Sequence, residues 1–134
     1  MRQSLLLSVL LASALVLLLA VSVCSAEKLD SVTSVSDVLE TNTHRSVIFS
    51  KSYCPHCRNT KTLFASNNYD HVLIELDQIP NGAAIHKELQ DLTKQRTVPN
   101  VFVKNEHVGG NSDVQKLQKS GKLTKMIGDV KQEL

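Results

Sequence analysis

Hydrophobic and polar residues follow one another along this 134-residue chain in the pattern of a mixed α/β domain. Short apolar runs bounded by polar and turn residues predict strands over residues 46–50, 71–77, 100–104 and 106–108. Apolar residues at helical spacing predict helices over residues 28–43, 55–66, 83–92, 112–120 and 123–130. Asn105 between the last two strands indicates a hairpin, and Ser112 is the predicted cap of the helix that Gly121 ends.

The most informative chemistry lies where the first predicted strand passes into a helix, in Cys54-Pro55-His56-Cys57. Two thiols at this spacing can cycle between dithiol and disulfide, and a helix N-terminus stabilises the thiolate that reacts. Pro55 suits the first helical turn, where its missing N–H costs nothing. A CxxC motif at this junction of a β-α-β-α-β-β-α order predicts a thioredoxin-like α/β fold, with a central four-stranded mixed sheet flanked by helices on both faces.

The same cysteine spacing also supplies half of a zinc site. The other half is missing, because the remaining cysteine, Cys24, lies in an apolar leader and the five histidines form no second ligand cluster. No metal is therefore expected. A formal charge of only +2 and the absence of Trp exclude the basic field and the stacking platform that nucleic-acid binding needs.

Residues 1–26 have the features of a signal peptide, with Arg2 before an uncharged apolar run and small residues at Cys24-Ser25-Ala26. The apolar run, residues 5–23, is 19 residues long and close to the roughly 20 that span a bilayer, so an uncleaved signal anchor is the alternative. Both alternatives place residues 27–134, the predicted single domain, on the lumenal or external side. A membrane contact is expected only if the leader is uncleaved.

The last four residues, Lys131-Gln132-Glu133-Leu134, are similar to the KDEL-type retrieval signal, with Gln132 in place of Asp. An ordinary polar helix tail has a similar composition. Together with the leader, the tail predicts residence in the lumen of the endoplasmic reticulum, with the Golgi or secretion as alternatives.

Four segments within residues 35–130 together resemble the glutaredoxin family. They are Lys51-Ser52-Tyr53-Cys54-Pro55-His56-Cys57, Arg96-Thr97-Val98-Pro99, Asn100-Val101-Phe102-Val103 and Gly109-Gly110-Asn111-Ser112-Asp113. The resemblance implies a monomeric, glutathione-dependent thiol-disulfide oxidoreductase that acts on glutathionylated or disulfide-containing proteins. It also implies that Cys54 is the nucleophile, that Cys57 is the resolving thiol, and that the two form the redox-active disulfide.

The resemblance further implies a binding site for glutathione. Pro99 would be a cis-proline that faces the cysteines and leaves the backbone of Val98 open to pair with the cysteinyl part of glutathione. The N-terminus of the next helix would bind the γ-glutamyl carboxylate, and Asp113 would bind the ammonium group. The implied glutathione-binding residues are Lys51, Tyr53, Arg96, Thr97, Val98, Pro99, Gly110, Asn111, Ser112 and Asp113.

Lys51 and Arg96 are the candidates for the glycine carboxylate of glutathione. Two other positions depart from the family pattern. His86 stands where many members present Gln to glutathione, so this side chain is expected to face solvent. His56 replaces the commoner Tyr, and is expected to tune the pair by making Cys54 more acidic and the disulfide more oxidising, because a Pro-His pair also occurs in the strongly oxidising bacterial protein DsbA.

Two other functions are compatible with these residues. Some glutaredoxins form dimers that hold a [2Fe–2S] cluster through one cysteine per subunit and bound glutathione, although Pro55 should stiffen the turn where the cluster would bind. The second alternative is a DsbA-like thiol oxidase that ignores glutathione. The segment from Gly109 to Asp113 argues against the oxidase, because it has the features of a glutathione subsite.

Overall fold

The computed structural model describes residues 26–128. The strands are β1 (Ala26–Lys28), β2 (Ser46–Ser50), β3 (His71–Glu75), β4 (Asn100–Val103) and β5 (Glu106–Gly109). The helices are α1 (Val35–Thr41), α2 (Pro55–Ser66), α3 (Gly82–Thr93), α4 (Asn111–Lys119) and α5 (Lys122–Ile127). Apart from its last residue, Ala26, the predicted leader lies outside the described residues, and so does the predicted retrieval signal over residues 131–134.

The strands form one sheet in the order β1-β3-β2-β4-β5, in which β1, β2 and β3 run parallel and β4 and β5 are antiparallel to their neighbours. This arrangement confirms the predicted thioredoxin-like α/β fold and its four central strands. The structure adds β1 as a fifth strand at the edge, where Ala26 pairs with His71. The prediction did not include β1, because its three residues are exposed and form no apolar run.

The core lies in two layers, one on each face of the sheet. Successive side chains of a strand point to opposite faces, so Phe49 packs with α1 and α3 while Ile48 packs with α2, α4 and α5. Phe49 and Phe102 meet edge to face in the first layer, with ring centroids 6.1 Å apart. Full burial of each large apolar side chain contributes about 1.5–3 kcal/mol to folding. The two layers fix α2 against the sheet, which positions the cysteines.

Helices α1 and α4 begin at residues other than those the sequence predicts, and α3 and α5 each begin one residue earlier than predicted. Helix α1 begins at Val35 rather than at residue 28, because the Ser34 hydroxyl accepts a hydrogen bond from the Asp37 N–H at 3.1 Å and caps the helix there. Helix α4 begins at Asn111, with Gly110 as its cap. Within residues 26–128, no helix is both long and apolar enough to cross a bilayer.

Candidate active site

Cys54 caps the N-terminus of α2 and is the accessible thiol of the pair. Its Sγ accepts a hydrogen bond from the N–H of Cys57 at 3.4 Å, and it lies 3.8 Å from the carbonyl oxygen of Val98. Cys54 is partly exposed, whereas Cys57, one turn into the helix, is fully buried. Both thiols are free. A substrate sulfur can therefore reach Cys54 before it reaches Cys57.

The surroundings of the two thiols separate their acidities. Burial opposes ionisation of Cys54, but the backbone N–H and the thiol of Cys57, together with the backbone N–H of His56, hold the pKa of Cys54 below its ordinary value. The charge of Lys61 acts in the same direction. Burial raises the pKa of Cys57 to about 11. Cys54 is therefore the better thiolate, and Cys57 stays a thiol until its partner has reacted.

His56 contributes to this acidity through its backbone N–H. Every residue except proline would supply the same N–H group, so this contribution does not depend on the imidazole. The side chain of His56 is exposed and lines the groove next to the cysteines. The structure does not test whether the imidazole makes the disulfide more oxidising, and that role stays a prediction.

The loop that faces Cys54 contains a cis peptide bond between Val98 and Pro99, as the family resemblance implies. The side-chain amide of Gln95 donates to the carbonyl oxygens of Thr97 and Pro99, both at 2.9 Å, and braces the loop on either side of Val98. Within residues 26–128, the backbone N–H of Val98 has no hydrogen-bond partner. The loop therefore presents an open backbone donor beside the reactive thiol.

The N-terminus of α4 forms the opposite wall of the groove. Gly110 caps the helix, and its N–H donates to the carboxylate of Asp113 at 3.1 Å. Gly109 has φ +118°, and a Cβ at this position would lie 2.4 Å from that carboxylate, so only glycine fits. The prediction that Ser112 caps this helix was wrong, because the Asp113 carboxylate closes the turn two residues earlier and places Ser112 in the first turn.

These two walls enclose a groove of about 350 Å³. Most of the predicted glutathione-binding residues line it, so the fold brings together segments that lie far apart in the chain. Thr60 on α2 and Asn111 on α4 are joined by a hydrogen bond of 3.0 Å, which ties the cysteine helix to the groove. The lining residues are His56, Gln95, Thr97, Val98, Pro99, Gly110, Asn111, Ser112 and Asp113.

A second groove, of about 310 Å³, lies beside the residues that precede Cys54, and Lys51 and Tyr53 line it. Tyr53 is a large hydrophobic side chain that is 68% exposed. The Ser52 backbone N–H and hydroxyl both donate to the Asp77 carboxylate, which fixes the loop to the residues after β3. These two hydrogen bonds hold the pKa of Asp77 below its ordinary value.

Arg96, from the predicted site, and His86, which was predicted to lie outside it, have surroundings that the sequence did not indicate. Arg96 is exposed and lines neither groove. His86 lines the second groove, is only partly exposed, and its Nε2 donates to the carbonyl oxygen of Arg96 at 3.1 Å. The expectation that His86 faces solvent was therefore wrong, because α3 brings it against the segment that leads to the cis-proline.

Gln95 has a role in the site that its sequence position does not indicate. The residue is a polar side chain just after α3, and nothing in its type or spacing distinguishes it from a surface glutamine. Its role depends on two carbonyl groups that the cis-proline loop brings within reach.

Within residues 26–128, there is no cluster of three or more His, Cys, Asp or Glu side chains that could hold a metal ion.

The site combines a CxxC motif whose first cysteine caps a helix, a cis-proline that faces it, and a groove between the two. These features define the class of the protein: a thioredoxin-like fold with a reactive pair of cysteines. Comparisons with known proteins give the family. A glutaredoxin profile matches residues 47–108. The chain is 46% identical over 85 residues to glutaredoxin-2 of Schizosaccharomyces pombe, covering 63% of this chain and 77% of that protein. It is 45% identical over 94 residues to glutaredoxin-C8 of Oryza sativa subsp. japonica, covering 68% of this chain and 69% of that protein. The chain belongs to the glutaredoxin family.

Solved structures agree with this assignment. The crystal structure of a buckwheat glutaredoxin-glutathione complex matches with a TM-score of 0.65 and 41% identity, over 68% of this chain and 81% of that one. The crystal structure of wheat glutaredoxin matches with a TM-score of 0.65 and 40% identity, over 69% of this chain and 87% of that one.

Proposed function

We propose that this protein is a glutathione-dependent thiol-disulfide oxidoreductase that acts on protein-glutathione mixed disulfides and protein disulfides. One observation carries the proposal: the Cys54 thiol, which is partly exposed and has a lowered pKa, lies beside a groove that presents unpaired backbone N–H groups. The similarity to a glutaredoxin structure whose title names a glutathione complex supports glutathione as the co-substrate.

The reaction begins when the Cys54 thiolate attacks the glutathionyl sulfur of a mixed disulfide. A new bond forms between that sulfur and Cys54 Sγ, the original disulfide breaks, and the protein sulfur leaves as a thiolate that takes a proton from solvent. A second glutathione thiolate, or Cys57, then attacks Cys54 Sγ and releases the bound glutathione. Removal of glutathione from proteins therefore needs Cys54 alone, whereas reduction of protein disulfides needs both cysteines.

Glutathione would bind along the first groove in an extended conformation. The open N–H and the carbonyl group of Val98 would pair with its cysteinyl residue, and Thr97, Pro99 and Gly110 would line its path. The first-turn N–H groups of α4, at Asn111 and Ser112, have no partner within the helix and would bind the γ-glutamyl carboxylate.

The two ends of glutathione would meet charged side chains. Asp113 would bind its ammonium group by a charge-assisted hydrogen bond. Lys51, with Tyr53 beside it in the second groove, is the stronger candidate for the glycine carboxylate. Arg96 lines neither groove but is exposed, and its long side chain is the second candidate.

The change Asp113→Asn tests this binding site. The neutral amide can still accept the Gly110 N–H but loses the charge that attracts the ammonium group. A hydrogen bond to a charged group contributes about 1.5–3 kcal/mol, and about 1.4 kcal/mol corresponds to a factor of ten, so KM for glutathione is expected to rise about tenfold or more. Steady-state kinetics on a glutathionylated peptide, with calorimetric titration of glutathione, measure the effect.

The matched control for this experiment is Asp37→Asn, because Asp37 occupies the same third helical position on α1 but lies away from both grooves. It is expected to leave KM for glutathione unchanged. An Asp113→Asn protein with wild-type KM would contradict the assigned role of Asp113. A wild-type protein that neither binds glutathione nor turns over the glutathionylated peptide would contradict the proposed function itself.

We also propose that the protein works in the lumen of the endoplasmic reticulum. The leader and the Lys131-Gln132-Glu133-Leu134 tail support this location. Glutaredoxin potentials of about −200 to −230 mV lie close to or below a lumenal poise of about −180 to −210 mV, so a typical member would be mostly oxidised there. Such a protein can donate disulfides as readily as it reduces them.

Removal of the last four residues tests this location. The full chain, with an internal epitope, is expected to stay in the endoplasmic reticulum, and the truncated chain is expected to reach the medium, because the retrieval receptor reads the C-terminal tetrapeptide. Immunofluorescence and immunoblotting of the medium distinguish the two. The same distribution for both chains would contradict a working retrieval signal, and a cytosolic full chain would contradict the leader.

A further inference from the structure

A buried polar side chain lies where the cis-proline loop enters the sheet, and the proposed reaction has not used it. Asn100, the first residue of β4, is only 1% exposed, although asparagine is mostly found on protein surfaces. Its Nδ2 donates to the hydroxyl of Thr93 at 3.1 Å, and its Oδ1 lies 2.9 Å from Nε2 of His107. Two side chains from other elements therefore satisfy both ends of this buried amide.

The hydroxyl of Thr93 fixes the direction of every hydrogen bond in this cluster. Thr93 is the last residue of α3, and its hydroxyl donates to the carbonyl oxygen of Leu89 at 2.7 Å. A hydroxyl has one proton to donate and two lone pairs, so it accepts from Asn100 Nδ2 and from the Gln95 backbone N–H, at 3.2 Å. The Oδ1 of Asn100 then accepts from His107, whose Nε2 carries the proton. The hydroxyl of Thr93 is therefore used to its full capacity.

The hydrogen bond between Thr93 and Asn100 closes the cis-proline loop at its base. Thr93 ends α3 and Asn100 begins β4, so this bond ties together the two ends of the loop, residues 94–99. Gln95, which Thr93 holds by its backbone N–H, directs its side-chain amide at the two loop carbonyl groups described above. Thr93 therefore anchors the residue that braces the loop on either side of Val98.

The same cluster reaches the opposite wall of the first groove. His107 belongs to β5, the strand that leads to α4. A Cβ at Gly110 would lie 3.6 Å from Gln95 Nε2 and 3.6 Å from the carbonyl oxygen of Pro99, so the bracing amide and the cap of α4 are close neighbours. The cluster therefore holds the backbone donor of Val98 at a set distance from the first-turn N–H groups of α4.

We propose that Thr93 is a positioning residue for glutathione, because it holds Gln95 and Asn100 so that the two walls of the first groove keep one spacing. This inference rests on the proposed function, in which glutathione pairs with Val98 on one wall and with the N-terminus of α4 on the other. A groove already held in the bound arrangement loses little conformational freedom when the ligand binds, which raises its affinity. Thr93 lines neither groove, so it acts through Gln95 and Asn100.

The change Thr93→Val tests this role, because valine has a similar shape but can neither donate nor accept a hydrogen bond. KM for a glutathionylated peptide is expected to rise about three- to tenfold through lost preorganisation, while kcat stays near the wild-type value. Calorimetric titration of glutathione is expected to show the same loss of affinity. Alkylation of Cys54 by iodoacetamide is expected to keep its wild-type pH profile, since it needs the thiolate but not the groove.

Two further variants separate positioning from a general loss of stability. Thr93→Ser keeps the hydroxyl and is expected to keep KM close to the wild-type value. Gln95→Met removes the bracing amide and is expected to raise KM by a similar factor to Thr93→Val. The double variant is expected to be little worse than either single variant, because both changes disrupt the same brace. Independent, multiplicative effects on KM would overturn the proposal.

The matched control is Thr41→Val, which is expected to leave KM unchanged. Thr41 is the last residue of α1, and its hydroxyl donates to the carbonyl oxygen of Asp37 as that of Thr93 does to Leu89, but it lines neither groove. A wild-type KM in folded Thr93→Val, or a fall in kcat alone, would overturn the proposal. If that variant does not fold, a wild-type KM in Gln95→Met would do so. Failure of the wild-type protein to bind glutathione would instead overturn the proposed function.

Discussion

Cys54→Ser is expected to abolish glutathione-dependent turnover of a glutathionylated peptide, while Cys57→Ser is expected to keep an appreciable part of it. Cys54 is the partly exposed thiol whose pKa is lowered by the N–H groups at the start of α2. A serine hydroxyl at this position cannot form the mixed disulfide, so no intermediate forms. In the Cys57→Ser protein, a second glutathione can still resolve the intermediate. Steady-state turnover of both variants, alongside the wild type, measures the difference.

The pH dependence of the Cys57→Ser protein provides a second check. Because the pKa of Cys54 is lowered, the thiolate is present above that pKa and is lost as the pH falls through it. The rate is therefore expected to fall on acidification and to level off at higher pH, below the ordinary pKa of a cysteine. Full activity in the Cys54→Ser protein would refute its assignment as the nucleophile. A rate that rises only at or above the ordinary pKa of a cysteine would contradict the lowered pKa of Cys54.

Gly82→Ala is expected to destabilise the fold by about 3 kcal/mol or more, at or above the upper end of overpacking costs. A Cβ at Gly82 would lie 1.6 Å from the carbonyl oxygen of Leu76 and 2.7 Å from its carbon. Both are backbone atoms just after β3, so neither can move aside as the end of a side chain would. At an open helical position, the same change would stabilise the protein slightly. Urea unfolding of the purified variant measures the free energy of unfolding.

Gly121→Ala is the comparison for this prediction, because Gly121 has φ +73° but no atom within 4 Å of the Cβ position. Its expected cost is about 1–2 kcal/mol, from the left-handed backbone conformation alone. A Gly82→Ala protein as stable as the wild type would contradict the close approach of α3 to the end of β3. That approach matters for function, since Gly82 lines the second groove together with Lys51 and Tyr53.

Most of the fold could be predicted because its signals are local. The apolar runs identify β2, β3, β4 and β5, and the CxxC motif at the end of β2 marks the helix that begins with Pro55. The cis bond before Pro99 and the glycine-led turn into α4 followed from a family resemblance that short segments carry. Strand β1 was missed because its stability comes from backbone pairing with β3, which leaves no pattern in its own side chains.

The errors in the candidate site have a similar cause. Ser112 has the side chain of a helix cap, but the competing hydrogen bond from Gly110 to Asp113 moves the start of α4. His86 has a polar helix environment in the sequence, but the fold places the Arg96 carbonyl group beside it. In both cases, a residue type suited to one role is used for another, because the neighbour that decides the role is known only in three dimensions.

The sequence by itself determined the reactive chemistry of this protein: two thiols one helical turn apart, a proline in the first turn, and a helix N-terminus beside the nucleophile. These features depend on residues within a few positions of one another, and local geometry follows from local sequence. Only the tertiary structure decided that Gln95 braces the cis-proline loop and that Lys61 pairs with the buried Glu75. Those contacts join separate strands and helices, and their formation depends on how the two core layers pack rather than on any residue's neighbours in the chain.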